Sequence, residues 1–184
     1  MDESIDAFIS YCKITQPQDR EDIRKFFEGV ICFPYDNELL LQAYLFFNIK
    51  SFFPSCKDVL LLEKSPILDR TDLGKCDFVY LTQQDSLFFI ETKFIDTNAS
   101  GSTERTKRRK HRQKVLDQVI ILKETFSNLW KIPIQEIYCG IFTTDSSLVE
   151  SGRSIDVIAE SISVDQLNEW QKIIRKSIRA RQWV

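Results

Sequence analysis

Apolar positions in the first third of the chain recur at helical spacing. Ile5, Phe8, Ile9 and Cys12 mark a helix within residues 4–13. Ile23, Phe26, Phe27 and Val30 mark a second, which Pro17 opens. After Pro34, Asn37 caps a third that runs to about Lys50 and carries Leu39, Leu40, Leu41, Tyr44, Leu45, Phe46 and Phe47. A helix apolar nearly all round is one buried against a sheet. Pro54 ends it, and the pattern then changes. Val59–Glu63 reads as a short strand, and residues 76–95 hold two strand-like runs around a polar turn at Gln83–Ser86. Asn98–Thr103 has loop composition. A helix over about residues 104–128 follows, with Val115, Val119, Leu122 and Phe126 on one face. Beyond Pro133, strands are expected at Glu136–Thr143 and within Ile155–Ile162. Ser163 and Gln166 form a capping box before a last helix faced by Leu167, Trp170, Ile174 and Ile178. There is no internal repeat and no low-complexity tract. The order predicts one α/β domain over residues 1–184, a central mixed sheet flanked by helices.

Composition fits that reading. The 184 residues are enough for one domain with a substantial core, and 43% hydrophobic with 28% charged residues argues against disorder. Five cysteines, odd in number and widely spaced with no C-x-x-C pair, read as buried small hydrophobes in a reducing compartment. No signal peptide opens the chain and no apolar run approaches ~20 residues, so a cytoplasmic protein without membrane spans is expected. Charge changes the picture more. The net charge is −2, yet Arg105, Lys107, Arg108, Arg109, Lys110, Arg112 and Lys114 place seven cations within ten positions. Lys172, Arg175, Lys176, Arg179 and Arg181 make a second basic stretch. Basic stripes on an otherwise acidic chain suggest a polyanion held at chosen places.

The densest chemistry lies in the hairpin. Asp77 sits in its first run, and Glu91 and Lys93 in its second. Strand side chains alternate, so Glu91 and Lys93 share a face, and a turn near Gln84 or Asp85 sets Asp77 across from one of them. Two carboxylates and an ammonium then meet at the end of an apolar hairpin, where charge is disfavoured without a reason. A divalent metal and a hydrolytic reaction supply one. With one histidine, no G-x-S-x-G, no P-loop and no G-x-G-x-x-G, the chain supports neither Ser-His hydrolase nor nucleotide-driven chemistry.

This element order, with Asp77 followed by Glu91-Thr92-Lys93, resembles the PD-(D/E)XK nuclease superfamily and its restriction-endonuclease-like core, α-β-β-β-α-β, over roughly residues 36–143. The resemblance implies metal-dependent hydrolysis of phosphodiesters in DNA, with Mg²⁺ as cofactor and Mn²⁺ as a substitute. Asp77, Glu91 and the Thr92 carbonyl would ligate the metal. Lys93 would orient the attacking water and stabilise the charged transition state. Glu38 matches the acid that many members carry on the first core helix, and Gln118 a glutamine that some carry on the helix after the motif. Cys76 stands where the family name has proline. Asp69, Asp72 and Asp96 are competing acids, and Asp77 is preferred for its strand-like neighbours.

Blander readings stand beside these. The hairpin charges could form an edge-strand salt bridge, Glu38 could serve the helix dipole, and Gln118 could be an ordinary surface glutamine. The basic run could be a solvated helix end or a localisation signal rather than a phosphate clamp. Its mutual repulsion predicts that it orders only upon binding nucleic acid. A catalytically inactive nucleic-acid-binding or protein-interaction module of the same fold, and an enzyme acting on RNA, are the rival functions. Any sequence specificity would have to come from loops or from homodimerisation.

Overall fold

The computed structural model of the protein describes residues 2–15, 19–65, 75–97, 101–151 and 157–182. Three helices come first: α1 (Glu3–Thr15), α2 (Arg20–Cys32) and α3 (Asn37–Phe52). Three strands follow, β1 (Cys56–Lys64), β2 (Cys76–Thr82) and β3 (Leu87–Lys93). Then come α4 (Ser102–Trp130), a 3₁₀ turn at Ile134–Glu136, β4 (Ile137–Thr143), α5 (Ser146–Ser151), β5 (Val157–Ser161) and α6 (Val164–Gln182). The strands form one mixed sheet in the order β1-β2-β3-β4-β5. β1, β2 and β3 are antiparallel neighbours, while β3, β4 and β5 run parallel. The change of sense falls at β3, because α4 carries the chain back across the sheet before β4. The chain is therefore α/β, with helices on both faces of the sheet.

Alternation along β2 and β3 builds two cores. Val79, Leu81, Leu87 and Phe89 pack with Phe8 of α1 and Val115, Val119 and Phe126 of α4. Phe78, Tyr80, Phe88 and Ile90 pack with Phe27 of α2, Leu41 and Leu45 of α3, and Leu167 and Ile178 of α6. The expectation that α3 is buried against the sheet holds. Gly140 explains how closely its end approaches: a Cβ there would lie 2.9 Å from the Phe53 ring and 3.3 Å from that of Phe88.

Several helix ends differ from expectation. α3 is capped by Asp36, not Asn37; its carboxylate accepts from the backbone N–H groups of Glu38 (2.6 Å) and Leu39 (3.2 Å). An acid one residue earlier reaches the orphan donors of the first turn and suits the helix dipole. α2 is capped by Asp19 in the same way, and Pro17 lies outside the described residues. The capping box before α6 is present, with Gln166 N–H donating to the Ser163 hydroxyl (3.2 Å) and Ser163 N–H to the Gln166 side chain (3.1 Å). The short α5 had no periodic signal at six residues. All five cysteines are free and buried, as expected. Among the described residues no helix is long and apolar enough to cross a membrane.

Candidate active site

The antiparallel hairpin carries the site. Its ladder pairs Leu81 with Leu87 and Phe78 with Ile90, so the turn lies at residues 83–86, and one further step sets Asp77 opposite Glu91. The left-handed backbone of Asp85 (φ 60) closes the turn. On the other side, β1 pairs Leu62 with Phe78 and Lys64 with Cys76, which sets Glu63 opposite Asp77. Glu63, Asp77 and Glu91 thus occupy one row across three strands. The row lies just past the last paired residues of the hairpin, and there side chains take over from the backbone. The Asp77 carboxylate accepts from both the Thr92 backbone N–H and its hydroxyl, each at 2.6 Å.

Charge and burial are in conflict along this row. Glu91 is only 4% exposed, and its Oε1 has no hydrogen-bond partner. Burial, reinforced by the Asp77 charge, pushes its carboxyl up to about 9, against the opposing pull of the Cys76 thiol and the Asp77 backbone N–H. Burial also raises Asp77, to about 6; the Thr92 hydrogen bonds oppose the rise, while Glu63 and Glu38 add to it. Cys76 is pushed far above an ordinary thiol by burial and then by the neighbouring Glu91 and Asp77 charges, so it is no nucleophile.

Lys93 ends β3. By alternation it belongs with Glu91, yet its ammonium reaches Glu38 on α3, donating to both carboxylate oxygens at 3.0 and 2.7 Å. Glu38 lines a cleft of about 500 Å³ with Asp36, Asn37, Gln42, Glu63 and Phe94. Asp77, Glu91, Thr92, Lys93 and Glu38 therefore gather around one end of the sheet. Gln118 does not join them: it lies exposed on α4 and makes no hydrogen bond to the acids. The α4 residues facing the sheet are Val115, Val119 and Leu122, and Gln118 falls off that stripe. Asp69 and Asp72 lie outside the described residues.

Two residues were not singled out from the sequence. Gln42 is 2% exposed and donates to Glu63 Oε1 at 2.6 Å. Glu63 itself has a left-handed backbone, φ 51, which a non-glycine residue adopts at a cost. Gln42 was visible as the one amide inside the apolar run of α3. Glu63 had no local signal, because only the β1–β2 pairing brings it beside Asp77.

The basic run forms the first three turns of α4. Repulsion between exposed like charges on a helix is worth only tenths of a kcal/mol, and two of the cations are anchored. Arg112 binds the buried Asp145 through two nitrogens, at 2.7 and 2.6 Å. Burial alone would raise Asp145, but its Ser147 hydrogen bond and the Arg112 guanidinium hold it below the usual carboxylate range. Arg108 donates to the Asp96 carbonyl (3.3 Å), close beyond the end of β3. Arg105, Lys107, Arg109, Lys110 and Lys114 point outward and are exposed. In the C-terminal stretch, Arg181 pairs with Glu28 of α2 (3.0 Å).

As the side chains stand, no group of three Asp, Glu, His or Cys among the described residues closes around a metal position. Glu38 is turned onto Lys93, and one Asp77 oxygen onto Thr92. The donor set is nonetheless all oxygen, and buried Glu91 Oε1 and Gln42 Oε1 have no partner. That chemistry fits a hard divalent cation rather than zinc or copper. Compared with protein-family models, with curated proteins and with solved structures, the chain has no significant match in any of the three.

Proposed function

We propose that the protein is a metal-dependent nuclease of the restriction-endonuclease-like fold, hydrolysing phosphodiester bonds in DNA. The observation that carries this reading is the register that sets Asp77 opposite Glu91 at the diverging end of one hairpin, with Lys93 two residues on along the same strand. The succession α3-β1-β2-β3-α4-β4 supports it, being the α-β-β-β-α-β order of that fold. Asp77, Glu91, the Thr92 carbonyl and Glu38 would hold Mg²⁺, with Mn²⁺ able to replace it. When bound, the cation supplies an activated water and offsets charge on the scissile phosphate. Glu91, whose burial favours its protonated form, would have to lose that proton to serve as a ligand. Lys93, released from Glu38, stabilises negative charge developing on the phosphate oxygens. The exposed cations of α4 grip the neighbouring backbone.

A second reading has an observation in its favour. Glu38 and one Asp77 oxygen are already satisfied by protein donors, which suits an inactive nucleic-acid-binding module of the same fold. One experiment separates the two. Plasmid, linear duplex, single-stranded and branched DNA, with RNA as a further substrate, are incubated with Mg²⁺, Mn²⁺ or EDTA. Cation-dependent cleavage by the wild type that Glu91→Gln abolishes supports the nuclease. Salt-sensitive binding without cleavage supports the module.

A further inference from the structure

Glu63 and Gln42 are tied to the acidic row by more than proximity. The β1–β2 register sets Glu63 beside Asp77, and both line up with Glu91. Gln42 is 2% exposed, and its amide nitrogen holds Glu63 Oε1 at 2.6 Å. Its own oxygen, Oε1, is buried without a donor at the wall of the cleft, and Glu91 Oε1 is in the same condition. A buried oxygen left unpaired costs on the order of 1–3 kcal/mol, so two in one cluster call for a partner the protein does not supply. Glu63 and Gln42 line that cleft together with Glu38. The Glu63 backbone is also left-handed at φ 51, a strain of order 1–3 kcal/mol that persists only where surrounding structure enforces it. Glycine there would relieve the strain, yet the position carries a carboxylate whose charge bears on both Asp77 and Glu91.

We propose that Glu63 is a cation ligand of this site and Gln42 its positioning residue, completing the oxygen cage from β1 while Glu38 remains paired with Lys93. The inference rests on the nuclease reading only for the place of the cation, not for its chemistry. Glu63 supplies the charge that the Lys93–Glu38 pair withholds, so a divalent cation can bind before Lys93 is released.

Isothermal titration of the full chain with Mn²⁺ alone tests this, with melting temperature recorded for every variant. The wild type binds. Glu63→Gln and Glu63→Gly each weaken binding about tenfold or more, and Gln42→Leu weakens it about tenfold. Glu63→Gly relieves the left-handed backbone but takes the acceptor from the buried Gln42 amide, whereas Glu63→Gln keeps an oxygen there, so a loss of affinity in Glu63→Gln at an unchanged melting temperature is not a folding defect. Wild-type binding that Asp77→Asn weakens but Glu63→Gln leaves unchanged overturns the role of Glu63 and leaves the rest of the site standing. Absence of any Mn²⁺ binding by the wild type overturns this inference and the nuclease reading together. Glu63-dependent binding without cleavage of any substrate upholds the inference and sinks the nuclease reading alone.

Discussion

Lys93 and Glu38 neutralise one another across 55 residues of sequence, the ammonium donating to both carboxylate oxygens at 3.0 and 2.7 Å. Both side chains are about a third exposed, at 31% and 36%. Such a pair is worth no more than about 1 kcal/mol to stability. Its importance is instead that each partner is withheld from other work. Lys93 drawn onto a phosphate would free Glu38, and Glu38 drawn onto a cation would free Lys93.

Lys93→Ala should therefore lower cleavage by about a hundredfold or more while shifting the denaturation midpoint only slightly. Glu38→Gln should cost less, because it frees Lys93 even as it removes an acid. Cleavage rates at saturating Mg²⁺, with urea melts of the same preparations, test both. Equal activity of wild type and Lys93→Ala, after controls for contaminating nuclease, would end the role given to Lys93.

The raised Asp77 and Glu91 make stability depend on pH. The folded chain keeps protons on these acids that the unfolded chain has lost. Stability should therefore fall as pH rises above the ordinary carboxylate range, until about 6 for Asp77 and about 9 for Glu91. Each group can contribute at most about 1.4 kcal/mol per pH unit. Urea unfolding in EDTA between about pH 5 and about pH 9 should show the decline, and Glu91→Gln should remove most of it above pH 6. A flat or rising wild-type profile would refute the burial argument.

The exposed α4 cations should govern salt dependence. Replacing Arg105, Arg109, Lys110 and Lys114 together with Ala should reduce the log–log salt slope of DNA binding by up to ~4 if all four touch phosphate. Fluorescence anisotropy across a salt series reads this directly. An unchanged slope would make the run a solvated helix end and move the binding surface to α6.

Arg112 should behave differently from its neighbours. It lies against Asp145, whose side chain is only 4% exposed. Arg112→Ala strands that carboxylate and should destabilise the fold by roughly 3 kcal/mol, measurable as a lower melting temperature without DNA. The same change at Arg109 should leave melting unaffected.

The hairpin was legible because its polar turn confines the register: a turn centred on Gln84 sets Asp77 against Glu91 and one centred on Asp85 sets it against Lys93, and the pairing of Leu81 with Leu87 selects the first. The α/β order was legible because the apolar period changes from helical to strand-like after Pro54 and back again. Glu63 was not legible, since its place depends on a bulged ladder and a left-handed backbone that no local pattern encodes. The Lys93–Glu38 pair was equally hidden: both residues were read as members of one site, but a long side chain at a strand end can reach across to another element. Gln118 shows the reverse: the resemblance alone assigned it to the site, and it lies exposed beside the apolar stripe of α4. The tie from the basic run to Asp145 was hidden as well, because Asp145 lies 33 residues from Arg112 and no local charge count reveals it.

That last separation has a consequence for synthesis. A chain emerging from the ribosome exposes α4 well before Asp145 has been made, and domains fold as their parts become available. During that interval Arg112 lacks its Asp145 partner, while the apolar face of α4 already has α1 and β3 to pack on. Translation of β4 and the turn after it fixes the helix against the sheet. The basic end of α4 is thus fixed late, by a residue made only after β4.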